Sequence, residues 1–139
     1  MKITFIIGLP CSGKSWLANK LSLGYIPIVD DDFEDTSFIQ LLTKRYFSKN
    51  NPGYILTYPG LCEKRILNEE LEFVNTCFYK HNPILEFIYF ENNLLKCMKN
   101  LEHRMRSGDR RNVELTIKTL TTKYFIPQNI TPLPIWTKS

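Results

Sequence analysis

The chain predicts an α/β fold: a three-layer α/β/α sandwich on a parallel sheet of about five strands. Three observations carry that expectation. Apolar runs of strand length alternate with segments of helical period along all 139 residues. The first run, Ile3–Ile7, is apolar apart from Thr4 and stops at Gly8, as a strand buried on both faces does. No repeat, low-complexity tract or linker interrupts the alternation, so residues 1–139 read as one domain, large enough for a real core.

After Ile3–Ile7, the segment Ser15–Leu23 carries Trp16, Leu17 and Leu21 and ends at Gly24, a helix stop. Tyr25–Val29 reads as a second strand, with Pro27 pointing to an edge or a bend. Thr36–Phe47 has a helix period through Phe38, Ile39, Leu41, Leu42 and Tyr46, capped by Asp35 or Thr36. Lys49–Gly53 is a turn and Tyr54–Thr57 a third strand. Glu63–Tyr79 is a helix with Ile66, Leu67, Leu71, Val74, Cys77 and Phe78 on one face, ended by His81-Asn82-Pro83. Ile84–Phe90 is the strongest strand, broken only by Glu86. Asn93–His103 is helical, "RMRSGDRR" interrupts, and Val113, Ile117, Leu120 and Tyr124 resume helical spacing, capped by Asp109 or Asn112. The tail offers a short edge strand near Leu133–Trp136.

Composition sets limits on function. Apolar residues make up 43% and charged ones 23%, the balance of a soluble globular domain. No apolar run reaches the ~20 residues that cross a bilayer. The N-terminal run is too short for a secretion signal, so a cytoplasmic protein (host cytoplasm if viral) without membrane association is expected. Cys11, Cys62, Cys77 and Cys97 form no C-x-x-C pair, and His81 and His103 are scattered, which argues against zinc and disulfides. Cys77 and Cys97 are expected to pack as small hydrophobes on helical faces. The net charge of +4 is unevenly spread. Residues 30–35 read "DDDFED", whereas between Lys96 and Lys123 eight basic residues face only Glu102, Asp109 and Glu114. Two such poles suit a metal-bound polyphosphate approached from both sides.

The most specific pattern is Gly8-Leu9-Pro10-Cys11-Ser12-Gly13-Lys14-Ser15, a full match to G-x-x-x-x-G-K-[ST] between an expected strand and an expected helix. Its glycines let backbone N–H groups curl round a phosphate, and the helix beginning near Lys14 aims its positive end there. Lys14 can reach β- and γ-phosphates, and the Ser15 hydroxyl can ligate Mg²⁺. Cys11, close to a helix N-terminus, is a conceivable redox-sensitive thiol. A GTP switch would need N-K-x-D and a D-x-x-G after a strand, and neither occurs. The third strand ends "ILTYPG", without the acid that motor and helicase ATPases carry there. The acids instead follow the second strand, Asp30-Asp31-Asp32, where a carboxylate could take a proton from an attacking hydroxyl or hold Mg²⁺ through water. Arg104, Arg106, Arg110 and Arg111, around Gly108, are placed as a mobile lid over about 100–115 that would stabilise charge in phosphoryl transfer.

These patterns resemble the small P-loop kinases related to polynucleotide kinase, a group that includes phage and bacterial nucleotide and small-molecule kinases. "GLPCSGKSWLA" is similar to their opening and "GYIPIVDDDF" to their second strand with its Asp pair. "CMKNLEHRMRSGDRRNVELTIKTLTTKYFIP" is similar to their lid. The resemblance spans nearly the whole chain. It implies an ATP- and Mg²⁺-dependent kinase. Gly8, Pro10, Cys11, Ser12, Gly13, Lys14 and Ser15 would cradle the nucleotide, and Ser15, Asp31 and Asp32 would serve the metal. Asp31 would be the general base. Arg104, or Arg106 if the register shifts, would be the lid arginine, with Arg110 also at the nucleotide. Two departures touch the acceptor side. Glu34 and Asp35 stand where these kinases tend to carry an arginine, and Tyr58-Pro59-Gly60 where they carry an acidic-polar run.

The acceptor therefore stays open. Nucleic acid leads, either a 5′-hydroxyl or a hydroxymethyl group on a modified DNA base, served by the basic lid and by Tyr54, Tyr58 and Trp16 through stacking. A nucleoside, nucleotide or other small hydroxyl compound follows, and a nucleotide-binding regulator without turnover comes last. The adenine pocket is expected near Asn129–Leu133, and no obligatory protein partner is evident.

Overall fold

Lys2–Ile7 forms β1, the strand that organises the sheet. The structure, a computed structural model, describes residues 1–30, 53–103 and 107–137, and the side chains of 30 and 107–111 lie outside that description. The expected helix over 36–47 and the acidic residues 31–35 fall outside the described residues.

Lys14–Ser22 is α1, Ile28–Asp30 is β2 and Gly53–Thr57 is β3. A 3₁₀ turn over Pro59–Cys62 precedes α2, Lys64–Phe78. Ile84–Tyr89 is β4, Leu94–Glu102 is α3 and Ser107–Lys123 is α4. Among the described residues, β1, β3 and β4 each lead to a helix. The sheet order is β2-β3-β1-β4, and every pairing is parallel. β1 has a strand on each side, so its apolar run is buried from Ile3 to Ile7. β2, which follows Pro27, is indeed an edge strand.

The sheet has four strands among the described residues, where about five were expected. The tail contributes only one parallel bridge, Leu133 to Phe90, beside β4. Its backbone is apolar enough to dock, but Pro132 and Pro134 flank the bridge and deny it further ladder donors. Gly53 opens β3 at φ +139, where an added Cβ would lie 1.7 Å from the Lys2 carbonyl oxygen. Only glycine lets β3 come that close to β1.

Three helix details differ from the apolar spacing. α1 buries Lys14, Ala18 and Ser22, one face at a spacing of four, and leaves Trp16 64% exposed. Small side chains let this helix lie close on the sheet, and a tryptophan on that face would hold it off. α2 buries Leu67, Glu70, Val74 and Phe78, while Cys77 is exposed. Cys97 on α3 is buried as expected. α4 starts at Ser107, not at Asp109 or Asn112. One glycine inside a helix costs about 1 kcal/mol, less than burial of Ile117 and Leu120 on the same helix returns.

Candidate phosphate-binding site

Four chain segments leave the carboxyl edge of the sheet side by side, where parallel α/β folds bind ligands. The first is Gly8–Ser15, from β1 into α1. Cys11 and Gly13 both adopt left-handed backbone, at φ 66 and φ 106. A non-glycine residue held there costs of order 1–3 kcal/mol, so the surrounding structure must impose it. It does: Asn100 Nδ2 donates to the Cys11 carbonyl at 3.0 Å. Ser12 N donates back to Leu9 O at 3.2 Å, closing the turn. An added Cβ on Gly8 would meet Ser12 Oγ at 2.6 Å and Phe90 Cβ at 3.1 Å, so the loop hugs the end of β4. The Ser12 hydroxyl is buried and finds no hydrogen-bond partner among the described residues.

Lys14 is buried at the start of α1, and its Nζ donates to Leu9 O at 2.8 Å across the loop. Its charge lies close enough to draw down the Cys62 and Cys97 thiols, although burial dominates and pushes both up to about 12. Both cysteines are therefore thiols at neutral pH. The Ser15 residue is exposed on the first helical turn. Gly13 caps α1 without a side chain, so first-turn amides face the loop.

Beyond β3 on the same sheet edge, β2 ends at Asp30, in register with Thr57 at the end of β3. Asp31 and Asp32, the expected base and metal residues, lie outside the described residues. Arg104 and Arg106 also lie outside them. Arg110 belongs by its backbone to α4, so the arginine-rich segment is partly helical where a longer loop was expected.

The third exit, from β3, is packed rather than open. Thr57 is fully buried and its hydroxyl is unpartnered among the described residues. Tyr54 and Tyr58 are core residues, which removes them as a stacking surface and leaves Trp16 of the three expected aromatics. Cys62 accepts a hydrogen bond from the Gly8 N–H and thereby ties this exit to the loop. Glu70 on α2 is 2% exposed. Burial raises its pKa to about 7, against the opposing hydrogen bond from Tyr58.

The fourth exit fastens β4 to the loop. Phe90 N donates to Ile7 O at 2.8 Å. The Tyr124 hydroxyl lies within hydrogen-bond reach of the carbonyls of both Ile7 and Phe90. Burial holds that phenol well above its ordinary pKa, so it stays a donor. Glu91 accepts from Lys96 Nζ at 2.7 Å and from Ile135 N at 3.2 Å, and the Lys96 bond first of all keeps its carboxylate below the usual range. Asn100 donates to Trp136 O at 2.9 Å as well as to Cys11 O, so one amide joins loop and tail.

Cys62, Asn100 and Tyr124 had no role in the sequence reading. Asn100 was visible as a lone amide on an apolar helix face, and Tyr124 as an aromatic before a proline. Nothing in spacing says which carbonyl such a side chain will hold. Among the described residues no group of three or more His, Cys, Asp or Glu could hold a metal, and no helix is long and apolar enough to cross a membrane. Comparison with protein-family models and with curated protein sequences finds no match for this chain.

Proposed function

We propose that the protein is an ATP-dependent phosphotransferase that moves the γ-phosphoryl group of ATP to a hydroxyl acceptor. The loop Gly8–Ser15 carries this reading: a glycine-bearing turn with two left-handed residues, a buried lysine and a buried unpartnered Ser12 hydroxyl, set against a helix N-terminus. Its donors suit the tail of a nucleoside triphosphate. The loop amides and Lys14 hold the β- and γ-phosphates and stabilise charge as the bond to the γ-phosphorus breaks. Ser15, with Asp31 and Asp32, would hold Mg²⁺, which neutralises phosphate charge when bound. The acceptor oxygen attacks the γ-phosphorus, its proton passes to the Asp31 carboxylate, and ADP leaves. Arg104, Arg106 and Arg110 would add positive charge over the transferred group.

Nucleic acid, DNA in particular, is the acceptor we favour. Trp16, exposed on α1 with Lys20 Nζ 4.7 Å from its ring centre, offers a stacking and cationic surface beside the loop. Burial of Tyr54 and Tyr58 favours a second reading, a small hydroxyl compound that needs no strand-binding surface. Labelled γ-phosphate offered with 5′-hydroxyl oligonucleotides, hydroxymethyl-modified DNA, nucleosides and sugars separates them. A nucleic-acid acceptor should weaken steeply with salt, a neutral one hardly at all. Asp31→Asn should keep ATP affinity and lose transfer. No transfer to any acceptor, with ATP still bound, would leave a nucleotide-binding regulator.

A further inference from the structure

Trp136 is 77% exposed, although the residues around it are held. Leu133 bridges to Phe90, and Ile135 is buried with its N–H on Glu91. The Trp136 carbonyl is fixed by Asn100 at 2.9 Å. That same Asn100 amide holds the Cys11 carbonyl in the loop at 3.0 Å. The two carbonyl oxygens therefore lie within two hydrogen-bond lengths of each other. The indole is exposed, on a backbone whose carbonyl is anchored through Asn100 to the turn that carries the candidate phosphate donors. Such a ring offers a flat apolar surface at little cost in backbone order.

We infer that Trp136 is the platform on which the base of the bound nucleotide stacks, an inference that rests on the phosphate-loop reading above. Asn100 is then a positioning residue that sets the indole at a fixed distance from the loop. The ligand class is a nucleoside triphosphate, and stacking alone does not discriminate adenine from guanine, because every base has a π-face. Trp16, the other tryptophan, projects from α1 with Lys20 over its ring and has no such tie to the loop.

Calorimetric titration with ATP and with inorganic tripolyphosphate tests this. The unaltered protein should bind both. Trp136→Ala should weaken ATP roughly five- to a hundredfold and leave tripolyphosphate unchanged, and Trp136→Phe should recover most of the loss. In a Trp16→Phe background, the remaining indole fluorescence should be quenched by ATP and not by tripolyphosphate. Equal weakening of both ligands in Trp136→Ala, or no weakening of ATP, overturns the platform while the loop reading stands. Failure of the unaltered protein to bind tripolyphosphate overturns the loop reading, and the platform with it.

Discussion

The exits from β1 and β3 begin on neighbouring strands at one sheet edge, yet they are built from opposite materials. The β1 exit is glycine, small side chains and a lysine, with two left-handed residues and a lysine ammonium reaching back across the turn to Leu9 O. The β3 exit is a threonine, a tyrosine and a 3₁₀ turn closed by a buried cysteine, with a buried carboxyl beneath. One side is a strained turn at a helix N-terminus, and the other fills space beside it. Cys62, accepting from Gly8, is where the two meet. The difference teaches that the form of this candidate phosphate loop is not a property of its own eight residues. Its shape is held by the neighbours on either side, the β3 turn and the Asn100–Tyr124 contacts.

The sharpest way to break this contrast is Lys14→Met. If the β1 exit does chemistry and the β3 exit only packs, losing the ammonium should lower single-turnover phosphoryl transfer by roughly 10²–10³-fold. The loss in folding stability should be small by comparison, read from urea unfolding of the same variant. Unchanged turnover would make the lysine a strut across the loop through its bond to Leu9 and nothing more.

Glu70 tests the other side. Its pKa rises from 4.5 to about 7 in the folded chain, chiefly through burial. The folded state thus binds a proton more tightly than the unfolded one. The stability that Glu70 contributes should be full below pH 4.5, fall as pH climbs through about 7, and then level off. At ~1.4 kcal/mol per pKa unit the decline is at most about 3.5 kcal/mol. Tyr58 and the neighbouring Glu69 are the groups that act on it, and Glu69 adds to the rise. Unfolding midpoints at pH 5 and pH 8 should differ for the unaltered protein and converge for Glu70→Gln, which mimics the neutral acid. Persistence of the pH slope in Glu70→Gln would assign it to another group.

The same contrast explains what could be read from the chain. The loop was legible because its motif is local: glycines, lysine and serine at fixed spacing between an apolar run and a helix. The parallel order of strands followed from alternation alone. The face of α1 was misread, because the buried side is marked by Ala18 and Ser22 rather than by the large apolar residues, and closeness to the sheet is a tertiary demand. The start of α4 was set late because Gly108 reads as a breaker, whereas packing of Ile117 and Leu120 decides the helix. Tyr58 looked like a stacking surface, and Cys62 was read only as a cysteine without a C-x-x-C partner. Their roles depend on contacts across the sheet edge, which leave no trace in spacing.

A smaller effect is expected at Gly8→Ala. The new methyl would sit 2.6 Å from Ser12 Oγ and 3.1 Å from Phe90 Cβ. The serine can turn aside, but the β4 end cannot, so a destabilisation of about 1–3 kcal/mol is expected. Tripolyphosphate affinity should fall with it, since the turn must open. An unchanged affinity would show that the Gly8 end of the loop takes no part in binding.

Cys62→Ala carries the smallest effect and bears most directly on how the two exits cooperate. The substitution removes a buried sulfur and leaves the Gly8 N–H without its acceptor. A buried donor left unpaired costs about 1–3 kcal/mol when its partner was strong, and a thiol is a weak acceptor, so about 1 kcal/mol is the expected loss of stability. The more telling reading is tripolyphosphate affinity. If the β3 turn props the loop, freeing Gly8 lets the cradle sample other shapes, and affinity should drop by a few fold even though no residue of the cradle has changed. Cys62→Ser, whose hydroxyl can accept from the same N–H, should regain part of that affinity while still losing stability through desolvation. Equal affinity in all three proteins would mean that the loop holds its own shape and that the two exits merely share an edge.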